Sequence, residues 1–197
     1  YPPPPQAIRL STFRYAFNYL LSGGLMPNYK PCDVTLMLSD VRCTTDIGRA
    51  LISTVFSYAS RVHKGQVRKY TGVPYISHPL SVYRLLVAFG VLDTATLCAA
   101  LLHDVVEDTP VSNDDIKEAF GDDIARIVGE LTDVSKPEDG NRAWRKAMDR
   151  HHLSKGGWEA QTIKCADMID NSRSIMEHDR NFAPIYMREK LALLKVL

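Results

Sequence analysis

Residues 95–108, ATLCAALLHDVVED, constrain the fold of this chain more than any other stretch. The first half of the segment is apolar almost all round, and Asp93 or Thr94 offers a helix N-cap directly before it. A helix without a polar face has to be covered on every side, because apolar surface is unfavourable in water. The segment therefore predicts a helix in the centre of a domain, enclosed by other elements.

Helical periodicity continues along the chain from Thr45 onward, with short turn signals and no convincing strand pattern. The helix predicted from Thr45 to Gly65 has one apolar stripe, which consists of Ile47, Leu51, Val55, Tyr58 and Val62. Other helices are predicted over residues 79–90, 112–121, 122–134, 141–152, 159–177 and from 182 onward. The predicted fold class is all-α, with one compact multi-helix domain over residues 45–197.

The first 44 residues have a different character. They carry a proline run at positions 2–5, an aromatic helix candidate that ends at Leu21, and the segment CDVTLMLSDV, which fits a strand or a helix. We interpret residues 1–44 as a less regular N-terminal extension. This extension is the predicted contact surface for a protein partner or for a second copy of the chain.

Composition narrows the class of protein. With 197 residues and 45% hydrophobic content, the chain is long enough for one domain with a substantial core. Its formal net charge of +1 gives no general argument for nucleic acid or an anionic membrane as a partner, and no apolar run approaches a membrane span. Because the sequence also shows no apolar heart of a signal peptide, a cytoplasmic location is predicted. The cysteines are scattered without a Cys-x-x-Cys pair, which predicts reduced thiols; they are Cys32, Cys43, Cys98 and Cys165.

Three carboxylates and a histidine follow the apolar half of the central segment. Residues four apart share a helix face, so His103 is predicted to lie beside Glu107, and Asp104 beside Asp108. Carboxylates at a helix C-terminus oppose the helix macrodipole, and a bound cation would relieve that conflict. The pattern favours a metal site over a solvated last turn.

A metal ion at this position needs ligands from elsewhere in the chain. His78 stands beside the predicted start of a helix, and Asp167 lies on an otherwise apolar helix face. A single His or Asp on such a face is often a core residue whose hydrogen bonds are satisfied. Spacing alone leaves both interpretations open.

Three blocks of the sequence favour the interpretation as metal ligands, because they resemble a known family. The blocks are HKGQVRKYTGVPYISHP at 63–79, AALLHDVVEDT at 99–109 and IKCADMIDNSRSI at 163–175. Together they resemble the signature of the HD-domain metal-dependent phosphohydrolases, and specifically of the RelA/SpoT-type (p)ppGpp hydrolase branch. The resemblance implies the small all-helical HD fold and the metal ligands His78, His103, Asp104 and Asp167. It implies Mn²⁺ or another divalent cation, which suits a mixed imidazole and carboxylate set.

The resemblance also implies an activity: removal of the 3′-pyrophosphate of (p)ppGpp, which gives GDP or GTP and pyrophosphate. Glu107 and Asp108 come one helical turn after the implied ligands. We expect them to act together as general acid and base and to position the attacking water. No synthetase domain is expected to fit behind the last block, so degradation without synthesis is predicted.

Substrate contacts are predicted on both sides of the implied metal ligands. In the resembling enzymes the pair corresponding to Arg68 and Lys69 packs against the guanine and the phosphates, and an Arg can stack on a base. Asn171 follows Asp167 by four residues, which places it within reach of the ribose or a phosphate. Arg173 is a further candidate for substrate binding.

Two departures from the family pattern bear on the substrate. Asp170 stands where the bifunctional members carry a His, and Ser172 stands where a Met is usual. Either Asp170 points away into a salt bridge with Arg173, or the pocket accepts a less charged substrate than ppGpp. Alternative functions are hydrolysis of a pppApp-like nucleotide or of NADPH, and a non-catalytic role as a nucleotide sensor or an antitoxin-type binding protein.

Overall fold

The computed structural model describes residues 45–197, which fold into a set of packed α-helices. Predictions that fall on residues 1–44, including Cys32, Cys43 and the segment CDVTLMLSDV, lie outside the described residues. The domain boundary at residue 45 and a partner contact through the extension therefore stay predictions.

The prediction of an all-α fold is confirmed. Within residues 45–197 the pairing of extended backbone is limited to one isolated bridge between Val67 and Pro74. The α-helices are α1 (Asp46–Val62), α2 (Ser77–Ala88), α3 (Thr94–Leu102), α4 (Val105–Asp108), α5 (Asn113–Phe120), α6 (Asp122–Leu131), α7 (Arg142–Leu153), α8 (Trp158–His178) and α9 (Ala183–Leu193). A 3₁₀ turn at Pro137–Asp139 precedes α7.

Side-chain caps fix the starts of several helices. The hydroxyl of Thr45 accepts a hydrogen bond from the backbone N–H of Gly48, and the carboxylate of Asp93 accepts one from Thr96. Ser112 forms a reciprocal capping box with the side chain of Asp115 at the start of α5. Each cap satisfies a backbone N–H that has no partner within its helix, so these starts are set locally.

Helix α3 lies in the centre of the domain, as predicted. It packs against α1, α2, α6 and α8, and all of its residues from Thr96 to Leu102 are buried. Cys98 and Cys165 are buried in this core and neither is part of a disulfide bond, which is consistent with reduced cysteines. In the part of the chain that the structure describes, no helix is both long enough and apolar enough to cross a membrane.

Two local predictions are wrong. Ile47, in the first turn of α1, is 82% exposed and does not join the core, whereas the rest of the predicted stripe does: Val55 is fully buried, and Leu51, Tyr58 and Val62 are partly buried against the core. The central helix also does not continue through the acidic stretch. It ends at Leu102, a turn follows at residues 103–104, and the separate one-turn helix α4 begins at Val105.

Candidate metal centre

Four side chains from three parts of the fold converge beside the turn at residues 103–104. His78 lies in the first turn of α2, His103 and Asp104 follow α3, and Asp167 lies in the middle of α8. The Nε2 atoms of His78 and His103 are 3.2 Å apart. Oδ2 of Asp104 lies 3.1 Å from His103 Nε2, and Oδ1 of Asp167 lies 3.2 Å from His78 Nε2. The structure thus brings together all four residues that the sequence singled out as metal ligands.

Hydrogen bonds fix the orientation of both imidazole rings. Nδ1 of His103 donates to the carbonyl oxygen of Ala100 over 2.9 Å, and Nδ1 of His78 donates to Oδ2 of Asp170 over 2.7 Å. In the neutral rings the lone pairs are therefore on the two Nε2 atoms, which face each other. Two lone pairs at this separation repel unless a cation lies between them, and metal-binding histidines are commonly held in this way through the other ring nitrogen.

The two carboxylates are also held from behind. The Tyr75 hydroxyl donates to Oδ2 of Asp104 over 2.6 Å. Asn171 Nδ2 donates to Oδ1 of Asp167 over 2.5 Å, while Lys164 Nζ lies 3.2 Å from the other oxygen, Oδ2. These contacts fix where the carboxylate oxygens point, so their positions are set before any ligand arrives.

The electrostatics of the cluster favour a positive charge at its centre. Burial alone would lower the pKa of His78, but the hydrogen bonds to Asp167 and Asp170 more than offset it and raise that pKa to about 9. Burial would raise the pKa of Asp104, but the charge of His103 holds it well below its ordinary value. A divalent cation satisfies the same demand as a proton on the imidazoles. Ligand atoms of His78, His103 and Asp104 lie within 4.8 Å of one another, so this buried His and Asp cluster could hold a divalent metal ion.

Glu107 and Asp108 flank the cluster on the short helix α4. Oε1 of Glu107 accepts a hydrogen bond from the backbone N–H of Asp133 over 2.7 Å. Burial raises the pKa of Glu107, and the charge of Asp133 adds to this, while the charge of Lys164 opposes it. Asp108 is exposed, and its backbone carbonyl accepts a hydrogen bond from the Gln66 side chain. Both carboxylates thus lie at the rim of the cluster.

Arg68 reaches the cluster from the loop between α1 and α2. Its Nη2 atom donates to Oδ1 of Asn171 over 2.9 Å and lies 3.4 Å from Oδ2 of Asp170. The structure therefore rules out the alternative in which Asp170 points away from the site, because this carboxylate contacts both Arg68 and His78. Asp170 follows Asp167 by almost one helical turn, which places both on the face of α8 that looks toward α2.

Lys69 is not brought into the cluster. Its side chain is 76% exposed, and its Nζ atom lies 4.0 Å from Asp179 and 4.8 Å from the ring centroid of Tyr70. Arg68 and Lys69 thus point to different places although they are neighbours in sequence. The backbone turns directly after Arg68, whose carbonyl oxygen accepts a hydrogen bond from the N–H of Gly72 over 2.9 Å.

A cavity of about 540 Å³ opens beside His78. Its volume is within the range of roughly 300–1,000 Å³ that is typical of small-ligand pockets. Its polar wall includes Arg68, His78, Asp170 and Arg173, and its apolar wall is formed by Phe56, Val73, Pro74, Ile76 and Leu80. A ligand with a flat apolar part and a charged part fits this combination of walls.

Sequence patterns missed two aromatic residues of the site. Tyr75, which supports Asp104, lies three residues before His78 in the first block, and its place in that block was the signal. Tyr186 lies on α9, where no motif marks it. Its hydroxyl is buried without a hydrogen-bond partner among the described residues, and burial together with the charge of Asp167 raises its pKa.

Comparisons with known proteins agree with this geometry. The family model described as HD domain matches residues 56–192. The chain is 40% identical over 131 residues to the guanosine-3′,5′-bis(diphosphate) 3′-pyrophosphohydrolase MESH1 of Xenopus tropicalis, which covers 64% of this chain and 70% of that protein. A GTP pyrophosphokinase of Streptomyces coelicolor is 35% identical over 143 residues, which covers 72% of this chain but only 17% of that much longer protein.

A solved structure is similar as well. It is described as a metazoan ortholog of SpoT that hydrolyses ppGpp and plays a role in starvation responses, and it superposes with a TM-score of 0.65. Sequence identity is 31%, and the match covers 74% of this chain and 85% of the other. The chain therefore belongs to the HD-domain family, and it is homologous to the MESH1 ppGpp hydrolases and to RelA/SpoT.

Proposed function

We propose that this chain is a metal-dependent nucleotide pyrophosphohydrolase that removes the 3′-pyrophosphate of (p)ppGpp and yields GDP or GTP and pyrophosphate. The observation that carries the proposal is the convergence of His78, His103, Asp104 and Asp167 beside a cavity that also presents Arg68. The names of the relatives support it, since MESH1 proteins are 3′-pyrophosphohydrolases of this nucleotide.

In this proposal the four residues hold one divalent ion, and we infer Mn²⁺ from the mixture of nitrogen and oxygen donors. A divalent ion at such a site supplies two effects: it makes a water more acidic and it polarises a phosphoryl oxygen. The protein contributes the orientation of the donors. Asp170 holds the His78 ring, and Tyr75 holds Asp104, so that their donor atoms are aimed at one point.

Glu107 and Asp108 are proposed to handle protons. The raised pKa of Glu107 makes it a better proton acceptor than an ordinary surface carboxylate, and the hydrogen bond from Asp133 fixes its direction. We assign Glu107 to take the proton of the attacking water, and Asp108 to position that water or to protonate the leaving oxygen. Glu107 follows His103 by four residues, and Asp108 follows Asp104 by four, about one helical turn in each case.

The base and the sugar are proposed to bind in the 540 Å³ cavity. Arg68 is held by Asn171, so its planar guanidinium is available to stack on a purine at little cost in side-chain entropy. The same contact brings Asn171 to the boundary between Asp167 and the cavity, where a ribose or phosphate oxygen is expected. Arg173 lines the cavity and is proposed to contact the phosphates, and Lys69 is proposed to act only from the exposed rim.

The decisive experiment incubates the metal-loaded protein with a panel of nucleotides and measures released pyrophosphate and phosphate. ppGpp and pppGpp are expected to lose pyrophosphate, and the Asp104→Ala variant should be inactive. The His151→Ala variant is a matched control, because His151 is exposed on α7 outside the site. Preferential turnover of pppApp or NADPH would replace the proposed substrate. Tight nucleotide binding without turnover would favour a sensing or antitoxin-type role.

A further inference from the structure

A second, smaller cavity of about 50 Å³ lies beside the metal centre. Its lining includes three lysines and an arginine, Lys146, Lys164, Lys190 and Arg150, and three carboxylates, Asp133, Asp149 and Glu189. Each carboxylate already has a cationic partner, Lys146 for the first two and Arg142 for Glu189. At about 10–15 Å³ for each water-sized position, the cavity has room for about four of them, which is enough for one phosphate group. The cavity lies where α6, α7, α8 and α9 meet. It is separate from the larger cavity that contains Arg68, and none of its lining residues belongs to that cavity.

The charges of the three lysines are not balanced in the same way. Lys146 donates to Asp133 over 2.6 Å and to Asp149 over 3.2 Å, and Lys164 lies 3.2 Å from Asp167. Lys190 has no such partner: in residues 45–197 no carboxylate oxygen lies within 4.0 Å of its Nζ atom. The ammonium lies instead 5.0 Å from the ring centroid of Tyr186. A partly buried cation without an anion is costly, so this position favours an anionic ligand.

Two contacts connect the small cavity to the proposed reaction. Lys164, on its wall, contacts Oδ2 of Asp167, whose other oxygen faces His78. Asp133, also on its wall, donates its backbone N–H to Glu107. An anion in this cavity would therefore lie next to a proposed metal ligand and next to the proposed proton acceptor.

We propose that Lys190, together with Lys164, binds a phosphate group of the pyrophosphate that leaves the nucleotide. The nucleoside then occupies the large cavity beside Arg68 and the released pyrophosphate occupies the small one, with the metal centre between them. The proposal rests on the proposed function and names the residue that receives one product. Burial and the positive charge of Lys164 lower the pKa of Lys190 to about 8, and an anion beside it would offset both effects.

The test uses isothermal titration of inorganic pyrophosphate into the full chain without added metal, so that chelation in solution does not contribute. The Lys190→Met variant keeps the length of the side chain and removes its charge, and we expect its affinity for pyrophosphate to fall about tenfold or more, as is typical of a lost charge-assisted contact. Lys190→Arg should retain most of the affinity. Lys155→Met is the matched control, because Lys155 is exposed and lies outside the cavity.

Thermal unfolding of the same variants separates binding from structure. If Lys190 serves a ligand, Lys190→Met should have an unchanged or higher Tm, since an unpaired charge has been removed. A lower Tm with unchanged pyrophosphate affinity would overturn the proposal and make Lys190 a packing residue on Tyr186. So would equal affinities of the wild-type chain and Lys190→Met. Pyrophosphate binding that depends on Lys190 in a protein that hydrolyses no nucleotide would instead contradict the proposed function alone.

Discussion

Oδ2 of Asp170 lies 2.7 Å from Nδ1 of His78 and also accepts a longer hydrogen bond from Arg68. One carboxylate thus orients a proposed metal ligand and contacts the side chain proposed to stack on the base. Asp170, which departs from the family pattern, therefore lies inside the site and contacts two of its side chains. Its negative charge faces two cationic or hydrogen-bond-donating partners, so it adds less repulsion toward a polyanionic substrate than an isolated carboxylate would.

Replacement of Asp170 should weaken metal binding. Asp170→Ala leaves Nδ1 of His78 without its acceptor, and loss of such a supporting hydrogen bond typically reduces metal affinity by roughly 10–100-fold. Asp170→Asn keeps an acceptor without the charge and should have a smaller effect. Titration of Mn²⁺ against a competing chelator measures both. Glu118→Gln, on the exposed face of α5, is the control, and equal Mn²⁺ affinity in Asp170→Ala and the wild type would refute the supporting role.

Asp104→Ala should lose the metal ion itself. The substitution removes one donor and also leaves the Tyr75 hydroxyl without its carboxylate partner. Elemental analysis should show less than one ion per chain after dialysis, against one in the wild type. Because a bound ion stabilises only the folded state, added Mn²⁺ should raise the Tm of the wild type and not that of the variant. Full occupancy in Asp104→Ala would remove this residue from the ligand set.

The amide variants of α4 test proton transfer apart from metal binding. Glu107→Gln and Asp108→Asn preserve shape and should leave the metal content unchanged, because neither side chain belongs to the His and Asp cluster. The kcat of the double variant should fall by roughly 10²-fold or more, the usual contribution of general acid and base groups. Undiminished turnover would mean that these carboxylates have only a structural role, such as the tether from Glu107 to Asp133.

Local signals predicted most of the fold. Thr45, Asp93 and Ser112 each cap a helix through a residue three positions ahead, and such short-range bonds can be read from the sequence. The break after Leu102 could not be predicted in this way. There the Asp104 side chain is held by Tyr75, which is 29 residues away, so the local backbone follows a tertiary contact.

The same distinction holds for the site. The four proposed ligands lie in blocks of recognisable sequence, whereas the contact between His78 and Asp170 spans 92 residues and depends on how α2 packs against α8. Lys190 lies on α9 outside any motif, so only its position in the folded chain distinguishes it from other lysines.

Arg68→Ala should act mainly on substrate binding. If the guanidinium stacks on the base in the ground state and the transition state alike, the variant should raise KM more than it lowers kcat. Preference between guanine and adenine nucleotides should also decrease. Steady-state kinetics with ppGpp and pppApp measure both effects, with Lys69→Ala as the comparison, since Lys69 is exposed at the rim. An equal fall of kcat and kcat/KM in Arg68→Ala would place this side chain in the chemical step instead.

Asp149 offers a pH-dependent test of the structural network behind the site. Its side chain is only 7% exposed and accepts hydrogen bonds from the backbone N–H of Ser135 over 3.0 Å and from Lys146 over 3.2 Å. Burial alone would raise the pKa of Asp149, but these donors lower it below its ordinary value. Asp149→Asn should therefore reduce the free energy of unfolding at pH 7 by roughly 1–3 kcal/mol, the cost of losing hydrogen bonds to a charged group.

The sign of the pH dependence follows from the direction of this pKa shift. A carboxyl group whose pKa is lower in the folded state stabilises the fold fully above its unfolded pKa of about 3.9, and this contribution disappears as the pH falls through the folded value. The difference in unfolding free energy between the wild type and Asp149→Asn should thus be constant from pH 7 to about 5 and shrink below about 4. Urea denaturation at several pH values measures it, with Glu118→Gln as the exposed control. A difference that stays constant down to pH 3 would show that Asp149 contributes through its shape and not through its charge.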